Sequence, residues 1–285
     1  MKIHLSFTSL KSLPILTIVI SAALLTSCNK QDEHNNLNTL SITLLTDDTL
    51  ITRASINNTW NGGEQVQVSI NNGSALTFTA SPSGTLTPVS PIYWQSPTQS
   101  ISARAWYPAS WTFPTNQSAG LQSADFIFAS TVTGITFSNY ATNPLTFQHR
   151  TAKVTVNLTA GTDINSVTNA TVSFYGFTSG APNTSDAGNG VIAGSGNGWI
   201  NPYNTSGDTY TALLMPRDMT GIQFIKITLD GIDYFYTPAA GDAELLQGKA
   251  YIYNITVNKT RLDVEVIDGI IWTYDNEYDI EPRFL

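Results

Sequence analysis

The chain has 285 residues, of which only 12% are charged and 11% aromatic, and its formal net charge is -8. That length exceeds one small sandwich and suits two domains of ordinary size, and the aromatic content argues against a disordered polypeptide. An acidic chain with no basic cluster argues against nucleic acid as a partner, because phosphate binding needs concentrated Lys and Arg.

The first element is an export signal. Lys2 and Lys11 lead into the apolar run "LPILTIVISAALL", then "LTSC", which ends on the one cysteine, Cys28. A basic start, an apolar middle and small residues before the break mark residues 1–27 as a bacterial secretory signal. "L-T-S-C" resembles a lipobox, in which the chain is cut before the cysteine and the thiol is acylated. Several acyl chains on Cys28 would hold the protein stably to the cell outer membrane. One thiol allows no internal disulfide and no cysteine-based metal site.

Residues 28–39 read as a polar tether, with an acidic pair, Asp32-Glu33, that resembles a surface-export signal. From Leu40 the pattern has period two. "LSITLLTD" and "TLITRASI" are strand candidates, and Arg53 sits in the second with no Lys or Arg nearer than Lys30 and Arg104. Asp47-Asp48 reads as the turn between them. Adjacent residues of a strand point to opposite faces, so these carboxylates form no acid–base pair there. "D-T-L" at Asp48–Leu50 fits a short O-glycosylation sequon.

"EQVQVSI", "SALTFTA", "ISARAWYP" and "DFIFAS" follow, each bounded by Gly, Pro, Asn or Ser. "PLTFQHRTAKVTVNLT" is the longest, with Val154, Val156 and Leu158 on one face and Lys153, Thr155 and Asn157 on the other. The Gly-rich "DAGNGVIAGSGNG" reads as a flexible surface loop. "FIKITLDGIDYFYTP" is a hairpin around Asp230-Gly231. "AELLQG" reads as one helical turn ended by Gly248. "AYIYNITVN" places Tyr251, Tyr253, Ile255 and Val257 on one face. Leu262, Val264 and Val266 alternate with polar neighbours. After a turn at Asp268-Gly269, Ile270, Trp272 and Tyr274 repeat the pattern. The fold class is therefore all-β, two sandwiches in tandem, over residues 40–148 and 149–285.

Chemistry is sparse. Outside the signal the only histidines are His34 and His149, and a lone strand histidine is more often packed than catalytic. No catalytic residue, metal site or cofactor is expected, and the chain does not read as an enzyme. Trp106, Tyr107 and Trp111, in "AWYPASWTFP", are the best candidate platform for a glycan or a host or bacterial receptor, although strand aromatics more often belong to a core.

The order of features resembles the fimbrillin family, the type V pilins of Gram-negative surface fimbriae. The features that carry the resemblance are the lipobox, an arginine between two early strands, "WNGGEQVQV", "AWYP", "LTFQHRTAKVTV", "LLQGKAYIYNITV" and a late tryptophan. The resemblance implies two transthyretin-like β-sandwich domains and export as a lipoprotein. It also implies cleavage by an arginine-specific surface protease, which falls on Arg53–Ala54 and removes the first strand, residues 40–53. A strand of another fimbrial subunit then fills the groove. The expected donor lies within residues 262–285, with Leu262, Val264, Val266, Ile270, Trp272 and Tyr274 as the inserting side chains. Thirteen residues, "TYDNEYDIEPRFL", follow Trp272. They fit a longer donor or a minor tip or anchor subunit, and a monomeric glycan-binding lipoprotein is the rival reading.

The acylation of Cys28 is directly testable. Labelled palmitate should enter the wild-type protein and not Cys28→Ser; equal labelling of both would show that the cysteine is not the anchor.

Overall fold

The computed structural model describes residues 42–43 and 59–272. The signal, Cys28, the tether, Asp47–Leu50, Arg53, Ala54 and Tyr274 lie outside these residues. The first half contains β1 (Ile42–Thr43), β2 (Gln65–Ile70), β3 (Ala75–Ala80), β4 (Thr85–Pro88), β5 (Ser100–Tyr107), β6 (Ile127–Thr136) and β7 (Phe147–His149). The second half continues with β8 (Ala152–Ala160), β9 (Thr171–Gly176), β10 (Ser179–Pro182), β11 (Ile192–Ser195), β12 (Gly198–Ile200) and β13 (Tyr203–Ser206). It closes with β14 (Thr209–Leu214), β15 (Arg217–Asp218), β16 (Ile225–Leu229), β17 (Ile232–Tyr236), β18 (Glu244–Leu245), β19 (Lys249–Val257) and β20 (Leu262–Ile271). The all-β class expected from the period-two runs is what the structure has.

The first seven strands form one sheet in the order β1-β4-β3-β2-β5-β6-β7. One sheet encloses a core only by bending. The register of β5 on β6 slips twice, between Ile101 and Ala105, and such bulges bend and twist a sheet. The enclosed core includes Trp60, Val66, Val68, Phe78, Leu86 and Phe147. Trp60 meets Tyr107 and Phe147 edge-on at 5.9 and 5.5 Å.

The second half has two main sheets, β12-β9-β16-β17 and β13-β14-β8-β19-β20. The alternation read in "TAKVTVNLT" is realised: Val154, Val156 and Leu158 are buried and Lys153, Thr155 and Asn157 are half-buried. β19 runs parallel to β8 and antiparallel to β20. Phe174 and Phe224 pack with Tyr253 and the apolar face of β16 in the second core. The Asp230-Gly231 hairpin is present, with positive φ at both residues (50° and 79°), as a two-residue turn between right-twisted strands requires. The change of sheet falls between His149 and Ala152.

Three local expectations are corrected. "AELLQG" is not a helical turn: Glu244–Leu245 is a short strand paired with β15, held by Tyr251, whose hydroxyl donates to the Glu244 carbonyl (2.5 Å) and accepts from the Leu246 amide (2.8 Å). Tertiary hydrogen bonds override a weak local helical preference. Asp268-Gly269 is not a turn between two runs. β20 is continuous across it, and Tyr251 of β19 faces two residues of β20 in a bulge, where Gly269 takes φ 66°. The Gly-rich run is not a loose loop. It supplies β11, and residues 183–191 are tied to the first half. Ser130 Oγ donates to Asn189 Oδ1 (2.6 Å), Thr131 Oγ1 donates to Asp186, and Arg104 Nε donates to the Thr184 carbonyl (2.9 Å).

Gly190 is where this clamp closes. Its φ is 72°, and a Cβ there would lie 2.5 Å from the Phe128 side chain. Gly207 has a similar φ of 54° but open space around it. Gly207→Ala should cost only the left-handed penalty, roughly 1–2 kcal/mol. Gly190→Ala should cost about 1–3 kcal/mol more, through overpacking. Urea denaturation of both variants checks this, and equal losses would show that the clamp is not packed as described.

Candidate functional site

Two places in the fold bear on assembly: the outer edge of the first sheet, and the junction where the chain's last described residues meet the end of β7. At the first, β1 is the terminal strand. Ile42 pairs with Leu86 and Thr43 with Thr85 of β4. β4 is held on its other side by β3, with Phe78, Thr79 and Ala80 opposite Pro88, Thr87 and Leu86. Among the described residues β1 therefore contributes to one ladder only, and its absence would leave the rest of the sheet connected. What it would leave bare is the outward amide and carbonyl of Leu86 in β4, whose side chain is fully buried. An open edge of this kind is a template for another strand.

At the junction, His149 is buried at the end of β7. Its Nδ1 lies 2.9–3.0 Å from both oxygens of the buried Asp125 carboxylate, to which Thr151 also donates. Trp272 covers the imidazole, ring over ring, with centroids 3.7 Å apart and planes 16° from parallel. The Trp272 amide donates to the Gly248 carbonyl (3.3 Å), and the ring is only 3% exposed. Gly248 itself turns with φ 67° so close to β7 that a Cβ would sit 3.2 Å from the His149 carbonyl. Lys153 Nζ lies 5.8 Å from the Trp272 ring centroid, and burial pushes its pKa below the usual lysine value. The late tryptophan thus joins the second core to the last strand of the first sheet. Burying a side chain of this size contributes about 1.5–3 kcal/mol, and ring stacking about 0.5–1.5 kcal/mol more.

The expected donor residues are divided between different surroundings. Leu262, Val264, Val266 and Ile270 are half-buried against the second core, and β20 is paired along its length with β19. Trp272 is seated in the junction. The structure brings none of these onto the β4 edge, and Tyr274 lies outside the described residues.

The aromatic candidates divide as well. Tyr107 packs beside the first core, and Trp106 and Trp111 pack against the second. Tyr107, Pro108, Trp111, Ser110, Gln122 and Ser123 line an open groove of about 560 Å³; Trp106 does not. One edge of Trp111 is fixed by an indole hydrogen bond to the Ala124 carbonyl (3.3 Å), and its ring meets Phe113 and Phe126 at 5.8 Å. An aromatic group that the sequence reading did not single out lies across the outer face of β12-β9-β16-β17. Trp199 and Phe235 are 37% and 40% exposed, with Tyr175 and Lys226 beside them. The signal was present in the alternation of "NGWI" and "DYFY" but does not distinguish an outward from an inward ring. Among the described residues, no three His, Cys, Asp or Glu side chains cluster as metal ligands.

Residues 52–270 match the model of a family described as fimbrillin-like. No curated protein sequence matches the chain. Among solved structures, a putative cell adhesion protein from Bacteroides uniformis is similar with a TM-score of 0.67 at 17% identity, covering 83% of this chain and 98% of that one. A second putative cell adhesion protein, from Bacteroides ovatus, has a TM-score of 0.57 at 16% identity, covering 82% of this chain and 96% of that one. At these identities the neighbours establish the fold, and the family match over most of the sequence establishes kinship. The chain belongs to the fimbrillin-like family, and with it to the fimbrial proteins of the cell surface.

Proposed function

We propose that the protein is a structural subunit of a cell-surface fimbria. It is exported as a lipoprotein anchored through Cys28 to the outer membrane. An arginine-specific surface protease cuts it after Arg53, and it then polymerises by strand exchange with other fimbrial subunits. Its role is mechanical, not catalytic. The observation that carries this reading is the position of β1 at the end of the first sheet, paired among the described residues only to β4. A strand so placed is removable without severing the sheet. While it is present, the edge that a neighbour would use is occupied.

Strand addition supplies affinity through backbone ladder bonds and register through alternate side chains. A donor must match the spacing of the strand it replaces, because a one-residue slip turns the apolar set outward. Two sources in this chain fit that requirement at different cost. Using Leu262, Val264, Val266 and Ile270 would strip β20 from its full ladder on β19. A donor drawn from residues 273–285, which include Tyr274, would break none of the described ladders. The second source is therefore favoured.

A rival reading, a monomeric surface glycan binder, is supported by the groove between Tyr107 and Trp111. A tip or anchor role for the subunit would keep the fold and alter the assembly. One experiment separates these. Protein cleaved by an arginine-specific protease should lose the segment up to Arg53 as its first cut and form ladders resistant to SDS. A discrete cleaved monomer would favour the glycan binder. First cuts at Arg104, Arg150 or Arg217, with Arg53 intact in folded protein, would reject the processing site. Truncation after Trp272 should give a folded, cleavable monomer that makes no ladder; ladders from that variant would place the donor elsewhere.

A further inference from the structure

The outer face of the β12-β9-β16-β17 sheet carries an aromatic strip that neither the core nor the β4 edge uses. Trp199 and Phe235 are both exposed, and they belong to the two outermost strands of that sheet. Three strand spacings separate them, roughly 14 Å between backbones. Their ring centroids are nevertheless 6.2 Å apart. The two side chains therefore lie down across the intervening strands and meet, instead of standing off the sheet. Tyr175, opposite Trp199 in the register of β9 on β12, braces the indole edge-on at 5.3 Å. Exposed apolar residues scattered singly need no explanation, but rings gathered into one exposed strip mark a contact surface.

The strip is also cationic. Lys226 of β16 puts its Nζ 5.4 Å from the Trp199 ring centroid. Beyond the Gly198–Gly176 pair of the same two strands come Asn197 and Phe177, and Arg217 bridges them. Its Nη1 donates to Asn197 Oδ1, and its guanidinium carbon is 4.7 Å from the Phe177 ring centroid. Among the described residues neither cation is paired with a carboxylate, since the ion pairs are His149–Asp125 and Arg261–Asp263. Asp233, the acid that alternation along β17 places on this face, accepts a hydrogen bond from Thr228 Oγ1 (2.5 Å). A chain of net charge -8 thus presents two cations beside a run of rings.

A ligand that matches both features has apolar ring faces and negative charge. The C–H face of a pyranose packs on an aromatic ring because the ring's face is electron-rich. A uronic acid adds a planar carboxylate, which suits an ammonium or the fork of a guanidinium. A folded protein fits less well: a stable interface buries about 800 Å² per partner, and this strip is a few side chains wide. Its run across four strands suits a polymer that offers successive sugar rings.

We propose that this face binds a carboxylated polysaccharide, a chain of uronic acid pyranoses stacked on Trp199 and Phe235 with carboxylates at Lys226 and Arg217. Every residue of the site lies between Tyr175 and Phe235, within the described chain, and the proposal does not rest on strand exchange. In a fimbria the face would recur on each subunit, and weak single contacts would add by multivalency.

The test uses the full mature chain, uncleaved and monomeric, titrated with polygalacturonate. Two further polymers divide the chemistry: dextran has pyranose rings without charge, and poly-L-glutamate has carboxylates without rings. Polygalacturonate should bind at least about tenfold tighter than either. Trp199→Ala should weaken its binding about fivefold, and Lys226→Gln with Arg217→Gln together about tenfold. Phe235→Ala repeats the aromatic test on an edge strand outside both cores, so its reading stands even if loss of the larger Trp199 ring disturbs the fold. Poly-L-glutamate bound as tightly as polygalacturonate would mean that the face takes acidic polypeptide, and would overturn the proposal. Dextran bound as tightly, no binding of polygalacturonate, or full affinity in Phe235→Ala and in the double charge variant would overturn it as well.

Discussion

The unpaired amide and carbonyl groups of a sheet's outermost strand are a template for another chain, and in this protein β4 takes that position once β1 is gone. Its inner ladder to β3 is fixed, and its outer ladder depends on β1. The order β1-β4-β3-β2-β5-β6-β7 places the first strand in sequence at the sheet's margin. The N-terminal strand can therefore be dispensable to the core and still be decisive for what the edge can bind. A strand in the middle of the sheet could not combine those properties, since removing it would sever two ladders and open the core.

The junction supplies the complementary constraint. It joins the two hydrophobic clusters. Trp272 on His149, and residues 183–191 on Ser130, Thr131 and Arg104, tie the halves together by two separate means, and Asp125 holds His149 in place. The ring stack is buried, so it resists shear better than a surface ion pair would, and the hydrogen bonds to residues 183–191 are half-buried or exposed.

Much of this architecture is legible in the sequence where one strand's chemistry is self-contained. The alternation of Val154, Val156 and Leu158 declares a half-buried strand, and Asp230-Gly231 declares its hairpin because only such residues accept positive φ at both positions. Legibility fails where a partner distant in sequence decides. Glu244–Leu245 has a local helical look, and Tyr251 makes it a strand. Asp268-Gly269 looks like a turn until β19 is laid beside it. His149 reads as a lone histidine, because nothing in its neighbourhood announces Asp125 on one side and Trp272 on the other. Arg150 reads as an ordinary polar strand residue, since burial of a guanidinium leaves no trace in local pattern. The aromatic run was legible as a group, but its division between two cores and a groove was not.

The central claim is that β1 occupies the edge a neighbouring subunit will use. Amide hydrogen exchange along β4 addresses it most directly. Uncleaved protein, cleaved protein kept dilute and monomeric, and assembled polymer would be compared at the amide of Leu86, because the backbone groups of residues 85 and 87 face β3. The account predicts protection in the first, loss of protection in the second and its return in the third, with the amides that β2 shares with β5 protected throughout. Protection of β4 that is unchanged by removal of the segment through Arg53 would contradict it.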